Sequence, residues 1–416
     1  MRILVVLVLI ATVGACTGVR PLPAPPADIY TDMEIPGFPG VRDWGDGAPI
    51  KGRERLVEFV GQIRARAARD GVMPNDNRLD SLVLSGGGSD GPFGAGLLYG
   101  WTEAGTRPEF TVVTGISAGA LIAPFAFLGS DYDEAMRAFT VENSTDTLVT
   151  VTILRGILDG VGLVDNSKLQ QALRGLITPE VVQAIADEHD LGRRLIVGTT
   201  NLDAQRPVYW GISAIAAAGR DRPQEAADLI TKIIIASASI PGAFPPQFFT
   251  VERDGERYTE MHVDGGVTNQ LFFLPRESRL GDLLPPDIQS FTERGTIYVV
   301  RNTKLSPSYE PLPVGLFQIA SRSISTMIKF GGRADVAMLE AQAAETGFGV
   351  KVTAVPDSFT MEENELFDPE YMQALFEVGR RLGRAGTAWT FEIAPTALSD
   401  AELAAAPKSA GSVSAE

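Results

Sequence analysis

Three short stretches of the chain hold residues able to attack a carbonyl, move a proton and steady a negative charge. Gly115-Ile116-Ser117-Ala118-Gly119 is a G-x-S-x-G pattern between a predicted strand and a predicted helix. A serine forced into a sharp strand-to-helix turn presents its hydroxyl outward, and small neighbours relieve the crowding of that turn. The helix behind it aims its positive end at the place where an oxyanion would form. Upstream, Gly86-Gly87-Gly88 sets unhindered N–H groups at the head of another helix. Successive glycines let the backbone approach a developing negative charge closely. A phosphate-binding loop is the competing reading of those glycines. It is disfavoured because the stretch lacks a G-K-[ST] ending and fits no G-x-G-x-x-G register. Val263-Asp264-Gly265-Gly266 ends a strand in an aspartate, where a carboxylate can reach into a crevice at the sheet's carboxyl edge. Taken alone it is a turn-forming Asp-Gly pair.

The elements that must position these groups follow from hydrophobic pattern. Residues 79–85 form a strand running into the glycine loop, and Pro92 opens an apolar helix to about residue 104. Residues 110–116 form a second strand, followed by an apolar helix over 118–128. Two successive strand–turn–helix units point to a parallel sheet with helices on its faces, an α/β fold. Further strands are predicted at 194–200, 207–210, 258–263, 296–301 and 350–355. Helices are predicted at 167–176, 179–187, 224–238, 316–330, 334–345 and 369–384. Leu56, Phe59, Val60, Ile63 and Ala67 repeat at helical spacing and give an amphipathic helix ahead of the core. The pattern contains no internal repeat and no break into two cores.

In their order the three motifs resemble those of the patatin-like phospholipase family. Gly198-Thr199-Thr200-Asn201-Leu202-Asp203 with Pro207-Val208-Tyr209 is similar to the family's strand pair after the nucleophile. The run from Ala236 to Pro246 (ASASIPGAFPP) is similar to its small-residue segment before the aspartate. The resemblance spans about residues 79–275, the motif core ending near 276. It implies a three-layer α/β/α hydrolase with a mostly parallel central sheet and no cofactor. Carried over by position, Ser117 is the nucleophile and Asp264 its base, a Ser–Asp dyad in place of a triad. Gly86, Gly87 and Gly88 would supply the oxyanion hole, with Gly115, Gly119, Gly265 and Gly266 as the motif glycines. The implied reaction is acyl-ester hydrolysis through an acyl-enzyme, on membrane phospholipids or lysophospholipids. A general lipase or carboxylesterase, or a decayed lipid-binding lipoprotein, are the alternatives. One residue departs from the pattern: Asp90 stands in the glycine loop where relatives usually carry Arg or Lys.

The rest of the composition is consistent with that reading. The chain has 416 residues with a net charge of −16, against a nucleic-acid partner. It has one cysteine and two histidines, so neither a disulfide framework nor a multi-histidine metal centre is expected. A dyad hydrolase needs no histidine. His189, in a run of carboxylates, is expected to be a solvated surface residue. His262 alternates onto the sheet face of Asp264 but precedes the acid in the chain, and is expected to be structural or to line the site. Arg2 and the apolar run to Val13 suit a secretory signal over residues 1–15. Val13-Gly14-Ala15-Cys16 resembles the lipobox of bacterial lipoproteins, which makes Cys16 the lipidated N-terminus. Prolines 21, 23, 25, 26, 36 and 39 give residues 16–50 the character of a tether. The hydrolase domain is expected over 51–395 and a flexible tail over 396–416. Thr17 is not the aspartate linked to inner-membrane retention, so an outer-membrane lipoprotein facing the periplasm is expected.

Overall fold

The computed structural model describes residues 20–47, 52–70, 78–151, 164–274, 295–309 and 311–389. Cys16, the expected signal and the expected tail over 396–416 lie outside the described residues. A short strand β1 (Arg42–Trp44) precedes the amphipathic helix α1 (Gly52–Asp70). The two predicted strand–turn–helix units follow, β2 (Ser81–Leu84) into α2 (Pro92–Glu103) and β3 (Val112–Gly115) into α3 (Ala118–Leu128). Helix α4 (Asp133–Val141), the two-residue strands β4 (Thr150–Val151) and β5 (Val164–Asp165), and helices α5 (Ser167–Leu176) and α6 (Pro179–Asp190) come next. Then come β6 (Arg194–Asn201), β7 (Arg206–Gly211), α7 (Ile212–Ala218), α8 (Pro223–Ser237), β8 (Gln247–Arg253) and β9 (Glu256–Asp264). The chain closes with β10 (Thr296–Arg301), α9 (Leu316–Thr346), β11 (Gly349–Ala354) and α10 (Pro369–Ala385).

The main sheet runs in the order β1-β7-β6-β3-β2-β10-β11, with β9 also on β6 and β8 on β9. Strands β6, β3, β2, β10 and β11 are mutually parallel. The others pair antiparallel, so the sheet is mixed but mostly parallel at its centre. Alternation on the central strands makes the layers. Leu82, Leu84, Tyr298 and Val300 enter one core with Phe93 and Leu97 of α2 and Phe376 of α10. Val83, Ile297 and Val299 enter another with Val60 and Ile63 of α1 and Val336 and Leu339 of α9. Helices therefore cover both faces, the α/β arrangement expected of a parallel sheet buried on both sides.

One register detail brings the motifs together. Strand β3 pairs with β6 only as far as Gly115 opposite Val197. Two residues further along β6, Thr199 pairs with Asp264, the last residue of β9. The place beside β6 that β3 vacates is filled by the incoming end of β9. Ser117, two residues past Gly115, thus emerges where Asp264 arrives.

Helices α2 and α10 pack almost backbone to backbone. A Cβ on Gly96 would lie 2.0 Å from the Phe376 carbonyl oxygen, and one on Gly100 2.0 Å from that of Arg380. Reciprocally, a Cβ on Gly379 would lie 2.1 Å from the Phe93 carbonyl, and one on Gly383 2.2 Å from that of Leu97. Both helices carry a G-x-x-x-G, and each glycine pair admits the backbone of the other helix. Gly96→Ala should cost about 1–3 kcal/mol through forced separation, read as a lower urea midpoint with unchanged m-value.

Two expectations are corrected. The helices predicted at 316–330 and 334–345 are one, α9. Gly331-Gly332 does not break it, because Gly332 passes over the Arg301 guanidinium, with a would-be Cβ 2.7 Å from Cζ. Residues 20–47 are not a loose tether. Met33, Ile35, Phe38 and Val41 are buried among the prolines, β1 pairs with β7, and Thr259 N–H donates to the Pro23 carbonyl at 2.9 Å. The spacing of four apolar side chains outweighs the extended bias of the prolines.

Candidate active site

Ser117 sits in the turn between β3 and α3 with φ 53° and ψ −123°, a left-handed φ that a non-glycine residue rarely adopts. Its Oγ donates to Asp264 Oδ2 at 2.6 Å. Its backbone N–H donates to Ser237 Oγ at 2.9 Å, and the Ser237 hydroxyl donates to the Gly198 carbonyl at 2.6 Å. This relay from the end of α8 to β6 holds the strained residue in place. The turn is tight enough that its neighbours must lack side chains. A Cβ on Gly115 would lie 2.6 Å from the Gly119 carbonyl, and one on Gly119 2.3 Å from that of Leu84.

Asp264 is buried and takes two hydrogen bonds, from Ser117 on Oδ2 and from the Gly266 N–H on Oδ1 at 2.7 Å. Burial raises its pKa to about 6, against the opposing pull of those two donors. The carboxylate is ionised at neutral pH, yet far more basic than an exposed aspartate. Gly265 and Gly266 are small for steric reasons. A Cβ on the first would meet the Gly198 carbonyl at 2.5 Å, and on the second Asp264 Oδ1 at 2.9 Å.

The glycine loop lies against the serine. A Cβ on Gly86 would stand 3.1 Å from Ser117 Cβ and 3.7 Å from its Oγ. The Gly86 N–H, however, donates to the Gln270 carbonyl at 3.3 Å, so it is engaged within the protein. Among the described residues the N–H groups of Gly87 and Gly88 have no acceptor, and these two remain available to an anion. This narrows the three expected donors to two. Asn302, at the end of β10, fixes the loop. Its Nδ2 donates to the Ser85 carbonyl at 2.8 Å, its N–H to Ser85 Oγ at 2.9 Å, and its Oδ1 accepts from the Gly94 N–H at 3.0 Å.

Set beside known proteins, residues 82–275 match the model of the Patatin family, described as patatin-like phospholipase. The chain carries a patatin-like domain. No curated protein matches it. Among solved structures, VipD from Legionella pneumophila is 14% identical, covering 76% of this chain and 67% of VipD, with a TM-score of 0.34. The type III effector protein ExoU is 15% identical over 76% of this chain, with a TM-score of 0.24. This chain spans about half of ExoU, 54% of its length.

In this patatin-like domain the departing loop residue, Asp90, is accommodated. The Tyr371 hydroxyl of α10 donates to Asp90 Oδ1, and burial raises the carboxyl to about 6. A cation stands close by on β10: Arg301, held down to about 10 by burial despite the charges of Asp335 and Asp90. Its Nη1 donates to Gln270 Oε1 at 3.3 Å. Gln270 in turn donates from Nε2 to the Gly266 carbonyl at 2.6 Å, tying Arg301 to both glycine-bearing loops.

The histidines of the domain lie elsewhere. His189 is buried, not solvated. Its ring lies 3.2 Å from Ser213 Oγ and 3.3 Å from Glu58 Oε1, and burial pulls its pKa down to about 4. Val182, Ile185, Ala186 and His189 form one buried stripe of α6, a helical spacing that the flanking carboxylates obscured. His262 is fully buried, with Nδ1 2.9 Å from Thr199 Oγ1 and Nε2 3.1 Å from Glu260 Oε2. Burial lowers its pKa by more than Glu260 raises it, so the ring is neutral at neutral pH. An ionised Glu260 requires the proton on Nε2, and Nδ1 then accepts from Thr199, which accepts from Trp210 Nε1 at 2.8 Å. Ser117 takes no part in that chain of bonds. His262→Ala should lower stability by about 1–3 kcal/mol while kcat/KM per folded molecule stays within a few-fold of native, measured on a soluble ester.

Ser237, Gln270 and Asn302 were not singled out from sequence. Ser237 lies in the small-residue run before Ile240-Pro241, and Gln270 four residues after Gly266, so both had local pointers. Asn302, buried immediately after a hydrophobic strand, was marked only by its polarity. Among the described residues no cluster of three or more metal-ligating side chains occurs. In the acidic stretch that includes Glu362 to Asp368, Asp368 caps α10 by accepting from the Glu370 N–H at 3.0 Å.

Proposed function

We propose that the chain is a serine-dependent acyl-ester hydrolase acting on membrane phospholipids or lysophospholipids. The observation that carries this reading is the 2.6 Å bond from Ser117 Oγ to Asp264 Oδ2, made by a serine in a strained turn to a buried carboxylate. A serine hydroxyl is a poor nucleophile without an adjacent base. As Oγ attacks the ester carbonyl, its proton passes to Asp264, whose raised pKa suits it to accept. The oxyanion is received by the N–H groups of Gly87 and Gly88. Collapse breaks the ester bond, and the departing alcohol takes the proton from Asp264, leaving acyl-Ser117. Water then adds to the acyl carbon as Asp264 removes its proton. Loss of Ser117 oxygen, reprotonated by Asp264, frees the fatty acid.

The same groups would serve a carboxylesterase. An assay on purified protein that separates fatty-acid release from phospholipid, lysophospholipid and a simple ester distinguishes the two. Covalent labelling by a fluorophosphonate tests the class itself: labelling that survives Ser117→Ala, or fails in the native chain, overturns it. We also propose that Cys16 is acylated and holds the enzyme at a bacterial outer membrane. Mass spectrometry of the mature N-terminus checks this, and an unmodified or absent Cys16 would exclude it.

A further inference from the structure

The first half of helix α9 leaves an apolar face uncovered. Leu316, Ile319, Ile324, Met327, Ile328 and Phe330 are all exposed, Leu316 at 86% and Met327 at 66%. At 3.6 residues per turn these six fall on one half of the helix, with Arg322 and Lys329 on the other. On the polar half Gln318, Ser321 and Ser325 are exposed, and the two cations reach back to the preceding loop. Arg322 donates to the Ser308 carbonyl and Lys329 Nζ to that of Ser306 at 2.9 Å. Of the 17 large apolar side chains exposed among the described residues, 9 fall between Tyr309 and Phe330. A globular helix normally turns its apolar stripe inward, and a concentrated exposed patch marks an interaction surface.

Charge selects what covers it. From Leu316 to Ala334 the helix carries Arg322, Lys329 and Arg333 and no Asp or Glu, in a chain of net charge −16. Burial and then Arg322, Lys304 and Arg301 depress the Lys329 pKa, with Asp357 opposing. Arg322, Lys304 and Arg301 thus lie near enough to act on Lys329, and cations cluster here. An apolar face on a helix whose only charges are Lys and Arg is the composition of helices that lie in a membrane interface, where cations are drawn to an anionic leaflet. Location agrees. Further along α9, Asp335 Oδ2 accepts from the Gln270 N–H at 2.6 Å, and Gln270 binds the Gly266 carbonyl beside Asp264. We infer that the first half of α9 docks the protein on the surface of an anionic phospholipid bilayer, apolar face in the headgroup boundary. The inference shares only its lipid partner with the proposed function, and docking needs no working dyad.

The lone cysteine makes a local test straightforward. In the full chain with Cys16→Ser and Ser117→Ala, Met327→Cys or Ser325→Cys is labelled with the environment-sensitive fluorophore NBD. Equimolar phosphatidylglycerol–phosphatidylcholine vesicles should raise and blue-shift emission several-fold at 327 but leave 325, on the opposite half, nearly unchanged. Added salt should weaken the response. No vesicle binding, or a 327 label still in water on bound protein, overturns the inference. So does an equal response with pure phosphatidylcholine. A 327 signal that grows with protein concentration without vesicles would assign the face to a second copy, and one shielded at high dilution would assign it to another segment of this chain. Both outcomes reject docking. Hydrolysis of a soluble ester by the Ser117 protein is read separately, so failure of docking and failure of the hydrolase reading are distinguishable.

Discussion

Ser117→Ala and Asp264→Asn should each lower kcat/KM on a soluble ester by about four orders of magnitude or more, and the second should also change the stability of the fold. Removing the serine deletes the proposed nucleophile. Converting the aspartate to its amide leaves the shape but removes the proposed acceptor for the Ser117 proton. Because each acts only through the other, the double variant should be no worse than the worse single one. The stability effect follows from the sign of the Asp264 shift. Its folded pKa, about 6, lies above the ordinary aspartate value. Ionising it therefore opposes folding, a cost that accumulates from about pH 4 and is complete above pH 6. Asp264→Asn should remove that cost and raise Tm at neutral pH by a few degrees. For the native enzyme, kcat/KM should rise with pH through about 6 and then level, as the carboxylate becomes available to accept the proton. A flat profile from pH 5 to 8, or an Asp264→Asn variant with near-native turnover, would remove Asp264 from the chemistry.

Glu260→Ala should be the most destabilising single substitution in the sheet away from the dyad, at about 3–5 kcal/mol. Glu260 forms a buried ion pair with Arg42, which also donates to the Met33 carbonyl at 2.9 Å and lies over the Trp210 ring. Without the carboxylate the guanidinium is left charged and dry, and His262 loses its acceptor. Burial alone would raise the Glu260 pKa, but Arg42 and the hydrogen bonds from His262 and Arg42 outweigh it and bring it to about 2. A depressed carboxylate contributes stability above its unfolded pKa, near 4.3, that is lost as pH falls toward 2. Urea midpoints of the native protein should therefore decline below about pH 4, and those of Glu260→Gln should decline less. This pair fastens the segment before β1 to the sheet, so its loss should also expose residues 20–47 to protease.

Some of this was legible in the chain and some was not, for reasons of range. The turns at Ser117 and Asp264 announce themselves because their glycines are local, each excluded from bearing a Cβ by atoms a few residues or one strand away. Helix α5 and strand β10 have the boundaries their periodicity predicts. What joins Ser117 to Asp264, 147 residues apart, is the handover of β6 from β3 to β9, and no local pattern encodes a handover. Strand β8 was missed because the adjacent Phe248 and Phe249 break the period-2 pattern that Phe249 and Val251 otherwise follow. The bonding of the Gly86 N–H to Gln270 was equally invisible, since it depends on a chain segment 184 residues on (270 − 86).

The close contact of α2 with α10 has a consequence for how the protein is made. Helix α2 begins directly behind the glycine loop, and its glycine face is filled only by residues 369–385. Strand β2, which leads into that loop, likewise pairs with β10 over residues 297–300, beyond the matched family segment. A nascent chain that has reached residue 275 therefore holds the proposed serine and aspartate but neither the strand nor the helix that sets the loop opposite them. Hydrolytic competence would arise only when nearly the whole polypeptide has left the ribosome. In the proposed hydrolase the loop facing the serine would thus be completed last, an order of assembly encoded in two pairs of glycines.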